Sequence, residues 1–321
     1  MKSKQEILAI AQETISIEYE AIKNLIKQID LNFSQLVLEI VNLKGRVIIT
    51  GIGKSAIIAQ KLVATFNSTG TPSIFMHAAD AVHGDLGIVQ KDDLVLCLSK
   101  SGNTAELKFL VPLLKQGGHL LACIVGDTNS YLAQQSDFVI NSSVAIEACP
   151  NNLAPTTSTT AQIVLGDALA VCLVECREFS KEDFAKFHPG GSLGKKLYLK
   201  VSDLSTQNER PQIALDASIK EAILEISKKR LGVVAIVSDN ELKGVITDGD
   251  LRRMMEKYPS FEHLKAIDIM NKDPKTIDYQ ELAINALQTM KKYNITQLIV
   301  KKNNLYEGVV HLHDLLKEGI I

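Results

Sequence analysis

The stretch "VIITGIGKSA" (Val47–Ala56) runs four apolar or β-branched residues into two glycines, a lysine and a serine. A buried strand turning into a loop that faces an anion has this composition. The strand supplies an unbroken apolar run, glycine lets the backbone come close, and the N–H groups of the next helix point outward. Three anion sites begin this way. A nucleotide P-loop needs Gly-x-x-x-x-Gly-Lys-Ser, and here its outer glycine falls on Ile48, inside the strand. A dinucleotide fingerprint is formally met by Gly51, Gly53 and Ala56, but it also needs an acid about 20 residues on, closing the second strand. The second apolar run ends Phe75-Met76-His77, and the first acid is Asp80. A smaller phosphate remains.

Outward from this stretch the pattern repeats. Apolar runs occur at 47–50, 73–76, 94–99, 120–125 and 138–140. Helical patterns lie between them at 55–66, 104–116 and 131–135, and a further helix-rich segment spans 160–177. Strands alternating with helices predict an α/β fold, a parallel sheet flanked by helices and joined by right-handed crossovers. Residues 3–43 read as helical ahead of it, with apolar spacing at Ile7, Leu8, Ile10, Ala11 and Ile15 and then Ile22, Leu25, Ile26 and Ile29. The first domain is expected to cover 1–200.

A second loop sharpens the choice of anion. "LCLSKSGNTAEL" (96–107) puts Ser99, Ser101 and Thr104 between a buried strand and a helix. Hydroxyls and free N–H groups then converge on a positive helix end, a cradle for one phosphate. A third hydroxyl cluster, "APTTSTTAQ" (154–162), opens another helix and reads equally as ordinary capping.

The chain has 321 residues, 46% hydrophobic and 22% charged, with a net charge of −2. That composition fits a soluble globular protein and gives no basic surplus for nucleic acid. No apolar run approaches the roughly 18 residues needed to span a membrane, and the polar N-terminus lacks an apolar signal core, so a cytoplasmic protein without membrane or nucleic-acid partners is expected. The five cysteines, Cys97, Cys123, Cys149, Cys172 and Cys176, form no Cys-x-x-Cys pair and read as reduced, mostly buried thiols.

Residues 199–212, with "STQNERP", read as a linker. Beyond it the segment 222–253 lines up with 286–317, each reading helix, strand, turn, strand, helix. Lys228-Lys229 is matched to Lys291-Lys292 and Gly244 to Gly308, an offset drifting from 63 to 64 that implies a one-residue insertion. Two copies this long suggest a pseudo-twofold pair rather than a solenoid. The copies are expected at 201–260 and 261–321.

Together, Gly-x-Gly-Lys-Ser after a strand, Ser-x-Ser-Gly-x-Thr, "EACPNNLAPTTSTT" and "HPGGSLGKKL" resemble the sugar isomerase (SIS) domain of D-arabinose 5-phosphate isomerases. The repeat resembles a tandem pair of CBS domains, "GVITDGDLRR" being the more typical half. The resemblance implies a flavodoxin-like three-layer sandwich followed by an α+β CBS pair. It implies interconversion of D-arabinose 5-phosphate and D-ribulose 5-phosphate, feeding synthesis of the acidic sugar Kdo of lipopolysaccharide. Lys54, Glu106, Glu147 and His188 match the positions implicated in catalysis, the histidine reaching the site from a neighbouring subunit of a homotetramer. Ser55, Gly70, Thr71, His77, His83, Ser99, Ser101 and Thr104 match or adjoin substrate-binding positions. His77 also matches a position that takes a divalent ion such as zinc as an inhibitor, while catalysis requires no cofactor.

The chemistry fits this residue set. A carboxylate moves the proton between C2 and C1, the better if burial raises its pKa. A cation stabilises the enediolate, and histidine opens the ring or shuttles protons. Either Glu147 or Glu106 can be the carbon base. The family's Ser-Asn-Ser-Gly-Glu-Ser loop reads Ser-Lys-Ser-Gly-Asn-Thr here, so Lys100 adds a cation near the phosphate, and the family's His-Pro-Gly-Glu reads His-Ala-Ala-Asp at 77–80. In the repeat, Thr247 and Asp250 match ribose-contacting positions of nucleotide-binding CBS domains, and the second copy has His311 and Asp314. A dimerising module, an adenine nucleotide site and a sensor for a pathway product all fit. The readings from other classes are a sugar-phosphate-sensing regulator, an isomerase for another sugar phosphate and a scaffold.

Overall fold

The computed structural model describes residues 1–320, which form two compact units, Met1–Phe184 and Ala185–Ile321, the second described to residue 320. In the first unit α1 (Lys4–Leu25) starts with a Ser3–Glu6 capping box. Asp30 caps α2 (Leu31–Asn42) through the amides of Asn32 and Phe33, so the expected continuous helical region is two helices with a break between. There follow β1 (Val47–Gly51), α3 (Lys54–Ser68), β2 (Ser73–His77), α4 (Ala78–Ala81), β3 (Leu94–Ser99), α5 (Ala105–Gln116), β4 (Leu120–Val125), α6 (Tyr131–Gln135), β5 (Phe138–Asn141) and α7 (Thr157–Cys176), and the first unit ends within α8 (Lys181–Phe187).

The five strands pair in parallel in the order β2-β1-β3-β4-β5. That is the flavodoxin-like order, as expected from the resemblance. Successive strand residues face opposite sides. Val47, Ile49, Leu94, Leu96 and Leu98 pack against α2, α3 and α7, whereas Ile48, Val95, Cys97, Leu121 and Cys123 pack against α4, α5 and α6. The result is three layers with two apolar seams. Arg46 and Asp93 pair at 2.6 Å beneath the sheet and fix the starts of β1 and β3.

Two expectations are corrected here. Helix α7 is long and apolar enough to cross a membrane by length and composition, with a mean hydropathy of 1.5. It is the central helix of this unit, burying Ala161, Leu165, Leu169 and Leu173 against α2 and α3; the hydroxyls at its start mask the run in the sequence. All five thiols are free, but only Cys97 and Cys123 are buried: Cys149 lies in a loop, Cys172 of α7 packs against the core half-buried, and Cys176 at the end of α7 is exposed.

The second unit holds α9 (Ser192–Tyr198), α10 (Val201–Ser205), β6 (Gln212–Ile213), α11 (Ile219–Lys229), β7 (Val233–Ser238), β8 (Glu241–Thr247), α12 (Asp248–Lys257), α13 (Ala266–Ile269), β9 (Thr276–Asp278), α14 (Ala283–Tyr293), β10 (Gln297–Lys302), β11 (Leu305–His311) and α15 (Leu312–Lys317). Its six-stranded sheet has the palindromic order β6-β7-β8-β11-β10-β9, the mark of a pseudo-twofold.

From β6 onward the copies match at a constant offset of 64. Strand starts Gln212 and Thr276, helix starts Ile219 and Ala283, left-handed caps Arg230 and Asn294, and the paired turns Asp239-Asn240 and Asn303-Asn304 all agree. Lys228-Lys229 therefore falls opposite Lys292-Tyr293, and no residue is inserted between helix and strand. The single-residue slip comes earlier, between α10 and α13. The expected linker is also part helix. Val201 and Leu204 of α10 are buried in the core of the second copy, while Ala266 of α13 is buried in the core of the first.

Candidate active site

Strand order reverses between β1 and β3, and parallel α/β sheets bind ligands outside the carboxyl ends of their strands at such a point. Three segments meet there. The first is the turn from β1 into α3. Gly53 has φ +56°, a conformation that disfavours side chains, and it sets Lys54 and Ser55 in the first turn of α3.

The second is the loop from β3 into α5. Ser99 Oγ accepts from Gly102 N–H at 3.0 Å and lies 3.1 Å from Thr104 Oγ1. Ser101 Oγ accepts from Asn103 N–H. Gly102 has φ +62°, and a Cβ there would sit 2.0 Å from Ser130 Oγ, so only glycine fits. The third is the start of α7, whose Gln162 accepts from Ser55 Oγ at 3.2 Å.

A cavity of about 290 Å³ opens between them. Lys54, Ser55, Ser99, Ser101 and Thr104 line it, as do Lys100, Ser158, Thr159 and Gln162. The N-termini of α3, α5 and α7 bring partial positive charge to the same region, and Lys54 and Lys100 bring whole charges. Such a site suits a multiply charged oxyanion on a small polar body.

Glu147 lies behind the cavity wall with its side chain fully buried. Oε2 accepts from Thr156 N–H at 2.8 Å, Thr156 Oγ1 at 3.2 Å and Ser158 N–H at 3.1 Å. Oε1 accepts from Ser158 Oγ at 2.5 Å and pairs with Lys100 Nζ at 2.6 Å. Burial alone would raise this carboxyl, but the Lys100 ammonium and the hydroxyl and amide donors outweigh burial and hold it at about 2. The condition that would make a carboxylate a better carbon base, a pKa raised by burial, is therefore not met at Glu147. The backbone around it is tied as well: Ala148 N–H donates to Thr156 and Thr157 Oγ1, and Glu147 N–H to Asn152 Oδ1.

The other expected residues lie elsewhere. Glu106, in the first turn of α5, is half-buried and does not line the cavity. His77 ends β2 beside Gly51, with Nδ1 3.6 Å from Asp80 and making no hydrogen bond. His83 is exposed in the turn after α4. Among the described residues no cluster of three or more His, Cys, Asp or Glu side chains is arranged to hold a metal ion. Gly70 and Thr71 precede β2, at the other end of the strands from the cavity; Arg177 binds the Gly70 carbonyl and Thr71 Oγ1, and Phe179 stacks where a Cβ of Gly70 would go. One chain does not bring this pair to the cavity. His188 sits in the second unit, in the turn between α8 and α9 that Gly191 and Gly194 close tightly on its carbonyl.

In the repeat, Thr247 and Asp250 form the capping box of α12, and Asp250 also binds Arg253. A cleft of about 560 Å³ between the copies is lined by Thr247, Asp248, Arg230, Arg252, His311 and His313. His311 has its pKa lowered, by burial and by the neighbouring His313, against the pull of Asp314.

Ser158, Thr159 and Gln162 are the residues that sequence reasoning left out of the site. The hydroxyl run was visible, but only the phase of α7 decides which hydroxyls face the cavity and which serve Glu147.

Comparison with known proteins places these features. The SIS domain model matches residues 39–172, and the CBS domain model matches 201–257 and 266–320. An arabinose 5-phosphate isomerase KdsD of Francisella tularensis subsp. tularensis is 46% identical over 314 residues, covering 96% of this chain and 95% of its own. The KdsD of Escherichia coli K12 is 42% identical over 312 residues, with 97% and 95% covered. Among solved structures, a protein of E. coli CFT073 in complex with arabinose 5-phosphate aligns with a TM-score of 0.57 at 39% identity, covering 59% of this chain and 100% of that one.

Proposed function

Because the chain belongs to the arabinose 5-phosphate isomerase family, an SIS domain followed by two CBS copies, we propose that it interconverts D-arabinose 5-phosphate and D-ribulose 5-phosphate. The observation that carries the reading is the convergence of three helix N-termini, Lys54 and Lys100 on one cavity at the reversal of strand order. Its volume of about 290 Å³ matches a pentose phosphate better than a dinucleotide.

In this reading the helix ends and the Ser99–Thr104 loop hold the phosphate. The open-chain aldose then lies with C1 and C2 toward a base. One carboxylate, Glu106 or Glu147, takes the proton from C2, and the pair of electrons left behind makes the C1–C2 double bond of an enediolate. Negative charge develops on O1, where Lys54 stabilises it. The O2 hydroxyl loses its proton, the O1 oxygen gains one, and the carboxyl returns its proton to C1. The ketose has the same atoms and the same charge as the aldose. His188 serves ring opening or the exchange between oxygens, for which an imidazole is suited. Every step is an acid–base step. His77 would hold a divalent ion as an inhibitor only.

The reading extends to the supply of Kdo synthesis. It places the protein in the cytoplasm, since sugar phosphates are charged and do not cross bilayers unaided. The exposed apolar side chains Ile7, Leu8, Ile15 and Tyr19 along α1 support assembly into a homotetramer. The basic cleft between the CBS copies supports a nucleotide or an anionic pathway metabolite as effector.

The test is incubation of the purified protein with D-arabinose 5-phosphate in chelator, following ketose formation, with Glu106→Gln alongside. Turnover in wild type, lost in the variant, is expected. A raised melting temperature with no turnover would favour a sensing regulator, and turnover of another sugar phosphate alone would reassign the substrate.

A further inference from the structure

Glu147 is the most fully engaged side chain of the site. A carboxylate offers about four lone-pair positions. Here three amide or hydroxyl groups converge on Oε2, while Ser158 Oγ and Lys100 Nζ share Oε1. No position is left to receive a carbon-bound proton, and the side chain has no exposed surface through which a substrate could reach it. Lys100 is placed differently. Its side chain is 45% exposed, it lines the cavity, and one contact to Glu147 leaves two of its three N–H groups free to turn outward. Its own backbone is pinned, since the Lys100 carbonyl accepts from Gly126 N–H at 3.0 Å.

We propose that Glu147 is a positioning residue and not the carbon base: it aims the Lys100 ammonium into the cavity, where Lys100 binds the substrate's oxyanion. The proposal rests on the isomerase reading and assigns its roles. The ion pair joins the β3–α5 loop to the start of α7, so one buried anion sets the distance between two walls of the cavity. Glu106, outside the cavity lining but two residues beyond Thr104 of its wall, is then the carboxylate left for proton transfer. It is half-buried in the first turn of α5 and has no hydrogen bond or ion pair among the described residues. The charged and titratable groups around Glu147 are few. Lys100 comes from the β3–α5 loop, Lys54 from α3 across the same cavity, Cys149 from its own loop, and Glu18 from α1, which accepts from Thr160 Oγ1 at 3.3 Å. Helix α7 brings no charge before Asp167, and that residue is paired with Lys61.

The experiment uses full-length wild type, Lys100→Met, Lys100→Gln, Lys100→Arg and Glu106→Gln, each checked by thermal melting. Arabinose 5-phosphate binding is measured by calorimetry, kcat and KM are measured across the pH range of activity, and loss of the C2 proton is followed in deuterated buffer. Lys100→Met and Lys100→Gln should weaken binding and raise KM at least tenfold, with Lys100→Arg recovering most of it. The acid limb of kcat should stay where it is in both neutral variants. Glu106→Gln should bind normally yet lose proton exchange by a thousandfold or more.

A shift of the acid limb to higher pH in Lys100→Met would mean that Glu147, freed of its ammonium, is the titrating base, and would overturn the proposal. Unchanged binding in both neutral variants, or retained exchange in Glu106→Gln, would overturn it too. If wild type binds the sugar phosphate without turning it over, the isomerase reading fails, while the binding results still decide whether Lys100 holds the ligand. If Lys100→Met does not fold, Lys100→Gln, which keeps a donor for Glu147, carries the same comparison.

Discussion

The cavity above the first sheet and the cleft between the two repeats are both lined with cations, yet they treat acids in opposite ways. In the first, a buried carboxylate is compensated by an ammonium and four other donor contacts, so the surrounding loops are fixed before any ligand arrives. In the second, Asp250 and Asp314 are occupied in capping their own helices, and Arg230, Arg252, His311 and His313 face an open cleft beside one acid, Asp248. A preorganised site suits chemistry, because its donors need no rearrangement when charge develops. An open basic cleft suits a ligand that supplies the missing anion itself. The contrast supports an enzyme in one unit and a responsive module in the other.

The largest effect that could break this contrast is at Lys54. Lys54→Met should lower kcat/KM by about a hundredfold or more, the usual size for loss of an oxyanion-stabilising group, with the melting temperature little changed. Steady-state kinetics and a melt decide it, and a small kinetic effect would leave the cavity without its main electrophile.

Glu147→Ala should lower stability by about 3 kcal/mol, since it strands a buried donor set and one half of an ion pair. Urea unfolding measures it. A neutral result would show that the cavity is not held by its buried anion.

The same group gives a pH signature. Its folded pKa, about 2, lies below the ordinary 4.5, so the unfolded chain binds the proton first as pH falls. Its contribution is full above about 4.5 and is lost toward 2. Asp93, also lowered by Arg46 against the effect of burial, adds in the same direction. Stability should therefore decline below about pH 4.5, and Glu147→Gln should flatten that decline in urea titrations at several pH values.

The smallest effect sharpens the other side. Ser218→Ala removes the cap of α11 and should cost about 1 kcal/mol, visible as an earlier transition of the second unit with turnover unchanged.

Most of the fold was legible because its signals are local. Apolar runs separated by helical patterns located the five parallel strands to within a residue or so, and the motif at Val47–Ala56 located the loop that lines the cavity. What escaped depends on contacts distant in sequence. Nothing local tells that Val201 and Leu204 are core residues of a repeat some 80 positions away, so the segment read as linker. Lys228-Lys229 was aligned by identity, whereas the left-handed caps at Arg230 and Asn294 fix the true register. At the site, the residue types pointed to Glu147 and Lys100 separately. Their pairing, and hence the direction of the carboxyl's shift, appears only when the β3–α5 loop and the start of α7 are brought face to face.

The exchanged helices of the second unit have a consequence for protease cleavage. Helix α10 is seated on the core of the second copy and α13 on that of the first, with the chain between α12 and α13 exposed at several residues from Pro259 to Lys265. A nick there would cut the polypeptide without parting the halves, because each fragment would still hold one helix inside the other. Mass under denaturing conditions would show two pieces, while the native particle would keep its size. A gene encoding only the first copy would yield a fragment whose core lacks its lid.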